Sequence, residues 1–265
     1  MRKTIFLFCL IAFTTAATAD NLYSFKDLVG DDKGTGKYTY PQNKVFIKKA
    51  FDLTEFTIGE DGLDYLLSFK IAVPFKNDPS WKNVNGWDIQ MFDVYLKFNE
   101  GKHKHTIAGR NVKIKDGWDK AIIVSPEENK KMFEREIIPK NIEVYDDETD
   151  SDNLVKDIIQ PYSYQIDGNV IFVRIKKSEI EDMKKLKSLQ VFVSSAEGFP
   201  AKQFSYIRNV NEQNSEWRFG GGSDYDGDAN VIDILGDNSK MKNYKSTEDE
   251  MVFSWIDMID VKTGK

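Results

Sequence analysis

The sequence predicts an all-β protein, an antiparallel β-sandwich of jelly-roll or immunoglobulin-like type. Three observations predict it. Short runs alternate apolar and polar residues, the period of a strand with one buried face. Those runs are bounded by Gly, Asp, Asn and Pro, the residues that turn a chain. Aromatic residues make up 13% of the 265-residue chain, with 18 Phe, 11 Tyr and 5 Trp, enough to fill a core between sheets.

Residues 1–19 read as a leader rather than as part of the fold. Arg2 and Lys3 precede an apolar run from Ile5 to Phe13, which is too short to span a bilayer. Ala17-Thr18-Ala19 then offers a small-residue cleavage site before Asp20. Residues 20–265 are expected to form one domain, exported to the periplasm, the medium or the cell surface, with no transmembrane segment after cleavage. The one cysteine, Cys9, lies inside the leader, in the middle of the apolar run rather than at a lipidation position. The processed chain therefore has no disulfide and no thiol chemistry. A net charge of −6 argues against nucleic acid as a partner, since that needs a basic face.

Strands are expected at 51–58, 65–73, 89–98, 120–124, 169–176 and 188–194. In the second, Leu67, Phe69, Ile71 and Val73 share one face. In the third, Gln90, Phe92, Val94, Leu96 and Phe98 oppose Asp93, Tyr95 and Lys97. Asp167-Gly168-Asn169 marks a hairpin between Tyr162–Ile166 and Val170–Ile175. One helix is expected over Ser178–Lys187, where Ser178 and Glu181 have the spacing of a capping box. Met251–Ile259 could add a strand. The acidic stretch 127–157 reads as a solvated excursion.

Residues suited to chemistry are few. The chain has no G-x-S-x-G, no H-E-x-x-H and no Walker A motif, and no enzymatic activity is expected. His103 and His105 form an H-x-H pair, but the flanking Gly101, Lys102 and Lys104 favour an exposed hairpin tip. Asp27, Asp31 and Asp32 lie within six residues, among Gly30, Gly34 and Gly36. Hard cations such as calcium take oxygens from carboxylates and carbonyls, so this segment is either a cation loop or an ordinary Asp/Gly turn. A weaker candidate is Asp224, Asp226 and Asp228. Their spacing is that of an EF-hand start, but Ala229 stands at its sixth position and Leu235 at its twelfth. Trp81 and Trp87 lie in a polar loop, where they either stack on sugar rings or anchor that loop on the core. Trp118, Trp217 and Trp255 lie in apolar runs and read as core.

The order of the motifs carries a resemblance. Phe25-x-Asp27-x-x-Gly30-Asp31-Asp32-x-Gly34-x-Gly36-x-Tyr38-x-Tyr40-Pro41 is followed by Ala50-Phe51-Asp52-Leu53. Then come Asn85-Gly86-Trp87, Gln90-Met91-Phe92-Asp93-Val94-Tyr95, Gly109-Arg110-Asn111-Val112 and Gly117-Trp118-Asp119. Trp217-Arg218-Phe219-Gly220-Gly221-Gly222 and Asn230-Val231-Ile232-Asp233-Ile234-Leu235 close the set. This resembles the C-terminal binding module of glucodextranase, over about residues 23–240. The excursion 127–157 is longer than usual, and 243–265 lies beyond the family's usual end. The resemblance implies a sandwich related to type 9 carbohydrate-binding modules and to the DOMON group. It implies a structural calcium near the opening motif and the Phe51-Asp52-Leu53 strand, with Asp27, Asp31, Asp32 and Asp52 as candidate ligands. It also implies a non-catalytic role on a polysaccharide or cell-envelope glycan, with α-glucan among the candidates. The alternative is an envelope protein that uses the sandwich to hold a protein partner.

The leader reading makes a direct prediction. Mass spectrometry of the exported protein should find an N-terminus at Asp20. Retention of Met1 in the envelope fraction would refute it.

Overall fold

The computed structural model describes residues 20–81, 83–127, 137–139, 154–197 and 207–264. The leader 1–19 and most of the acidic excursion lie outside the described residues. Strands β1 (Asp20–Lys26), β2 (Leu53–Asp61) and β3 (Asp64–Ile71) form an antiparallel meander. β3 then pairs with β10 (Val170–Lys176), and β10 with β9 (Ser163–Asp167), which completes a five-stranded sheet. The β9–β10 hairpin turns where the sequence marks it. Asp167 pairs with Val170, and Gly168 takes φ 58°, a left-handed conformation that glycine adopts without a Cβ clash.

A second, six-stranded sheet is centred on β4 (Gln90–Lys97). β11 (Ser188–Ser195) flanks it on one side and β7 (Lys120–Val124) on the other. β12 (Asp233–Ile234) and β16 (Ile259–Asp260) both pair with β11, while β8 (Ile158–Ile159) runs parallel to β7. A smaller sheet joins β5 (His103–His105), β6 (Val112–Trp118) and β15 (Ser254–Ile256), and β13 (Lys245–Ser246) pairs with β14 (Met251–Val252). Met251–Ile259 thus adds strand residues to three sheets. Among the described residues, no helix is long and apolar enough to cross a membrane.

The alternation read in β4 divides two cores rather than core from solvent. Phe92, Val94 and Leu96 enter a core shared with Phe56, Phe69 and Val173 of the five-stranded sheet. The Phe69 and Phe92 rings stand 4.7 Å apart, and Phe56 and Phe69 5.1 Å. On the opposite face, Met91 and Tyr95 enter a second core with Ile114, Trp118, Ile123 and Phe192. Tyr95 packs against Trp118 at 5.2 Å and Phe192 at 5.0 Å. Asp93 belongs to this second face by strand period, yet it is buried. Arg110 answers it with two hydrogen bonds, Nε to Oδ2 at 2.6 Å and Nη2 to Oδ1 at 2.9 Å.

Four expectations are corrected. Ser178–Lys187 is not one helix but two 3₁₀ turns, Lys177–Glu179 and Met183–Lys185, with Ile180 extended between them. Burial decides this. Met183 and Leu186 both sink into the first core, and tyrosine hydroxyls satisfy the Met183 backbone: Tyr23 donates to its carbonyl and its N–H donates to Tyr65. The local capping pattern is outweighed by this tertiary packing. His103 and His105 do not sit on an exposed tip. The His103 ring packs on Trp118 at 4.5 Å, and its Nε2 lies 2.8 Å from Asp157, which Lys120 also holds at 2.6 Å. Trp118 is fully buried as expected, but Trp255 is 36% exposed on β15, with the Lys113 ammonium over its ring. Trp217 is only partly buried, at the edge of the first core.

The Asp93–Arg110 pair gives a stability prediction. Asp93→Ala leaves a buried guanidinium without its counter-charge and should cost about 3–5 kcal/mol in denaturant unfolding. The double variant Asp93→Leu/Arg110→Met should recover much of that loss. A single variant within about 0.5 kcal/mol of wild type would show that water or another group compensates.

Candidate metal centre

Three segments far apart in sequence converge at the end of the β1–β2 pair. Asp27 follows β1, and its N–H extends the ladder by donating to Thr54 O at 3.1 Å. The chain then turns at Gly30, whose φ of 93° favours glycine. The Gly30 N–H donates to Asp52 Oδ2 at 2.9 Å, immediately before β2. Asp233, on β12, takes the Leu53 N–H on Oδ2 at 2.8 Å and the Asn238 amide on Oδ1 at 2.7 Å. Asn238 also donates to Asp31 O at 2.5 Å, and Gly34 N–H donates to Ile232 O at 2.7 Å. The opening loop is therefore sewn to the 232–238 segment by backbone and amide bonds.

Within this frame, one carboxylate oxygen each from Asp31, Asp52 and Asp233 lie within 4.8 Å of one another. Asp27 stands beside them: its Oδ1 accepts from Gly236 and Leu28 N–H, at 2.8 and 3.0 Å. Asp27 Oδ2, both Asp31 carboxylate oxygens and Asp52 Oδ1 are buried without a hydrogen-bond donor among the described residues. None of these four aspartates makes an ion pair there. Asp32 is turned to a different partner, accepting a short hydrogen bond from the Tyr40 hydroxyl, which in turn accepts the Phe51 N–H at 3.2 Å.

The electrostatics follow from the packing. Burial pushes the Asp27 carboxyl up to about 7, against the pull of the Gly236 and Leu28 N–H groups; the Asp31 and Asp52 charges add to the rise. Burial also raises Asp31 to about 6, with the charges of Asp52, Asp32 and Asp237 adding to it. Asp233 is raised well above the ordinary carboxylate range by burial, then by Asp27 and Asp31. Asp52 is raised by burial and held back by the Gly30 N–H and Lys49. Asp32 is raised by burial, with the Tyr40 hydrogen bond opposing.

The donor set is oxygen only, with no imidazole or thiolate, which suits a hard cation rather than zinc or copper. The orphaned buried oxygens are what such a cation would satisfy. Asp27, Asp31 and Asp52 are thus brought together as the sequence suggested, with Asp32 at the margin. Asp233 was missed because it lies some 200 residues from Asp31. Its signal was present, an aspartate inside the apolar run Val231-Ile232-Asp233-Ile234-Leu235.

The other candidates fall elsewhere. Asp224 and Asp226 are exposed while Asp228 is buried, its Oδ2 accepting the Ser223 N–H and hydroxyl, each at 2.7 Å. Among the described residues these three do not gather into one cluster. Trp87 is fully buried; its indole N–H donates to Gln90 O at 2.8 Å and its ring lies 5.7 Å from Tyr164. It has no face to offer a sugar, so it anchors the loop instead. Trp81 is half-buried in a 3₁₀ turn, 6.3 Å from Trp217.

An all-β protein of several sheets, with a buried centre of aspartate oxygens suited to a hard cation, is what the described residues define. Comparison with protein-family models matches residues 22–257 to the C-terminal binding module, SLH-like, of glucodextranase, and the chain belongs to that family. The match runs through β14 and β15, so the family pattern extends past residue 243. No curated protein matches the chain.

The raised carboxyls set a pH dependence. Asp27 and Asp31 in the metal-free native state hold protons that the unfolded chain has lost, between about pH 4 and 7. The native state binds more protons there, so its stability falls as pH rises through that window. Metal-free protein should melt higher at about pH 5 than at about pH 7.5. Any stabilisation by a divalent cation held at this centre should be larger at the higher pH, because binding needs the deprotonated carboxylates. Calorimetry in chelator and in calcium at both pH values checks this, and a metal-free melting temperature that rises with pH contradicts it.

Proposed function

We propose that the protein is an exported, calcium-stabilised, carbohydrate-binding module built as a β-sandwich. The observation that carries the reading is the buried aspartate centre in a chain of a binding-module family. Two sheets sharing the Phe69–Phe92 core support the sandwich description. Calcium at Asp31, Asp52 and Asp233, with Asp27 beside them, would replace carboxylate repulsion by attraction. It would also staple the opening loop to β2 and β12, in a chain whose one cysteine lies in the predicted leader. The ligand we assign is a polysaccharide or cell-envelope glycan. α-Glucans are the first class to test, because the family takes its name from a glucodextranase.

Two measurements test the reading. Calcium at a hundredfold excess over Kd should stabilise the native state by about 2.7 kcal/mol, or roughly 5–10 °C for a domain of this size. Asp31→Ala or Asp233→Asn should abolish that response, and magnesium should not reproduce it. A glycan array on the processed protein in calcium should show binding to α-glucans. A blank array would move the protein to the envelope-partner alternative. Identical melting curves in chelator and calcium would leave the aspartates without a cation.

A further inference from the structure

The loop 223–228 borders a cleft of about 680 Å³ that the metal centre does not use. We propose that this cleft is the groove in which the module takes a neutral glycan chain, an assignment that rests on the carbohydrate-binding reading above. The volume is that of a small-molecule site.

The walls are held before any ligand arrives. Asn111 Nδ2 donates to the carbonyls of Asp226 and Asp228, both at 2.8 Å, which fixes the loop against the start of β6. Asn111 does so from φ 58°, a left-handed conformation that asparagine tolerates better than other side-chain-bearing residues. Asn230 accepts the Val210 N–H at 2.8 Å and donates to Gly109 O at 2.9 Å, tying the facing wall to the same turn. Ser223 is held by Asp228, as described. Such walls need little ordering on binding.

The groups left facing outward are of two kinds. Asp224 and Asp226 are exposed carboxylates, and Asn209 and Asn211 add amides beside them. A carboxylate accepts from neighbouring hydroxyls, and an amide both donates and accepts, so together they match a diol on a sugar ring. Around them lie apolar surfaces: Tyr225 is 46% exposed and Met251 58%, with Phe253 half-buried. These can cover the C–H face of a pyranose. Among the described residues, no Lys, Arg or His lines the cleft. Phosphorylated, sulfated or uronic-acid chains would meet carboxylates with no cation to pair with, which selects an uncharged polyhydroxyl ligand.

The test is binding of soluble linear α-glucan and β-glucan oligosaccharides to the processed protein by calorimetry, after a glycan array. The variants are Tyr225→Ala, Asn211→Ala, Asp226→Asn and, as a control outside the cleft, Trp81→Ala. The first three should weaken binding roughly ten- to hundredfold and keep the wild-type melting temperature and calcium response, since they change ligand-facing groups. Trp81→Ala should bind as wild type does. Wild-type binding retained in the three cleft variants overturns the assignment while leaving the module a sugar binder. Binding lost in Trp81→Ala alone moves the site to that loop. A calcium stoichiometry that drops by one in Asp226→Asn, with glycan affinity unchanged, makes the cleft a cation site instead. A blank array removes both the cleft assignment and the carbohydrate reading.

Discussion

Carboxylates that have left water must accept hydrogen bonds, keep their protons or share a cation. That constraint governs the junction on which this molecule's layout turns. Asp27 and Asp31 come from the opening loop, Asp52 from the start of β2, and Asp233 from β12 of the other large sheet. A centre drawn from both sheets fixes their relative placement at one end. Hydrogen bonds such as Gly236 N–H to Asp27 and Asn238 to Asp31 supply direction, which the charges alone lack. Segments about 200 residues apart are thereby held as one unit, without a covalent link.

The six-stranded sheet is the second organising element. Its central strand is buried on both faces, so each residue of β4 has a neighbour above or below. Such a strand cannot bury a charge cheaply, and the one it buries, Asp93, is matched in geometry by the Arg110 fork. Asp157 plays a related part at the sheet edge, where His103, Lys102 and Lys120 all approach its carboxylate.

Much of the strand content was legible in the sequence because period-two alternation is local. β3, β4, β10 and β11 fall where it placed them. Which side each face would meet was not legible. Phe92 and Tyr95 look alike in a pattern, and only the partner layers assign them to different cores. The segment 178–187 failed for the same reason: Ser178 and Glu181 signal a helix locally, while Met183 and Leu186 are drawn into a core assembled from distant strands. Three metal-centre candidates came from motif reading. Asp233 did not, since no spacing rule links it to Asp31. The cleft was missed because its asparagines come from three separate stretches of chain, at Asn111, at Asn209 and Asn211, and at Asn230, and no local spacing links them.

The parallel pairing of β7 with β8 has a consequence for how the family's length can vary. Antiparallel neighbours can be joined by a tight loop, but parallel ones require the chain to cross back over the sheet. The acidic excursion lies between Val124 and Ile158, so it is this crossover and not an ornament on a hairpin. Ile137 and Leu154, from within it, are buried in the second core. While β8 keeps its parallel pairing with β7, this connection cannot be cut back to a turn. Lineages that trimmed it fully would have to give up β8 and reseal the exposed edge of β7, where an unpaired strand invites association with other chains.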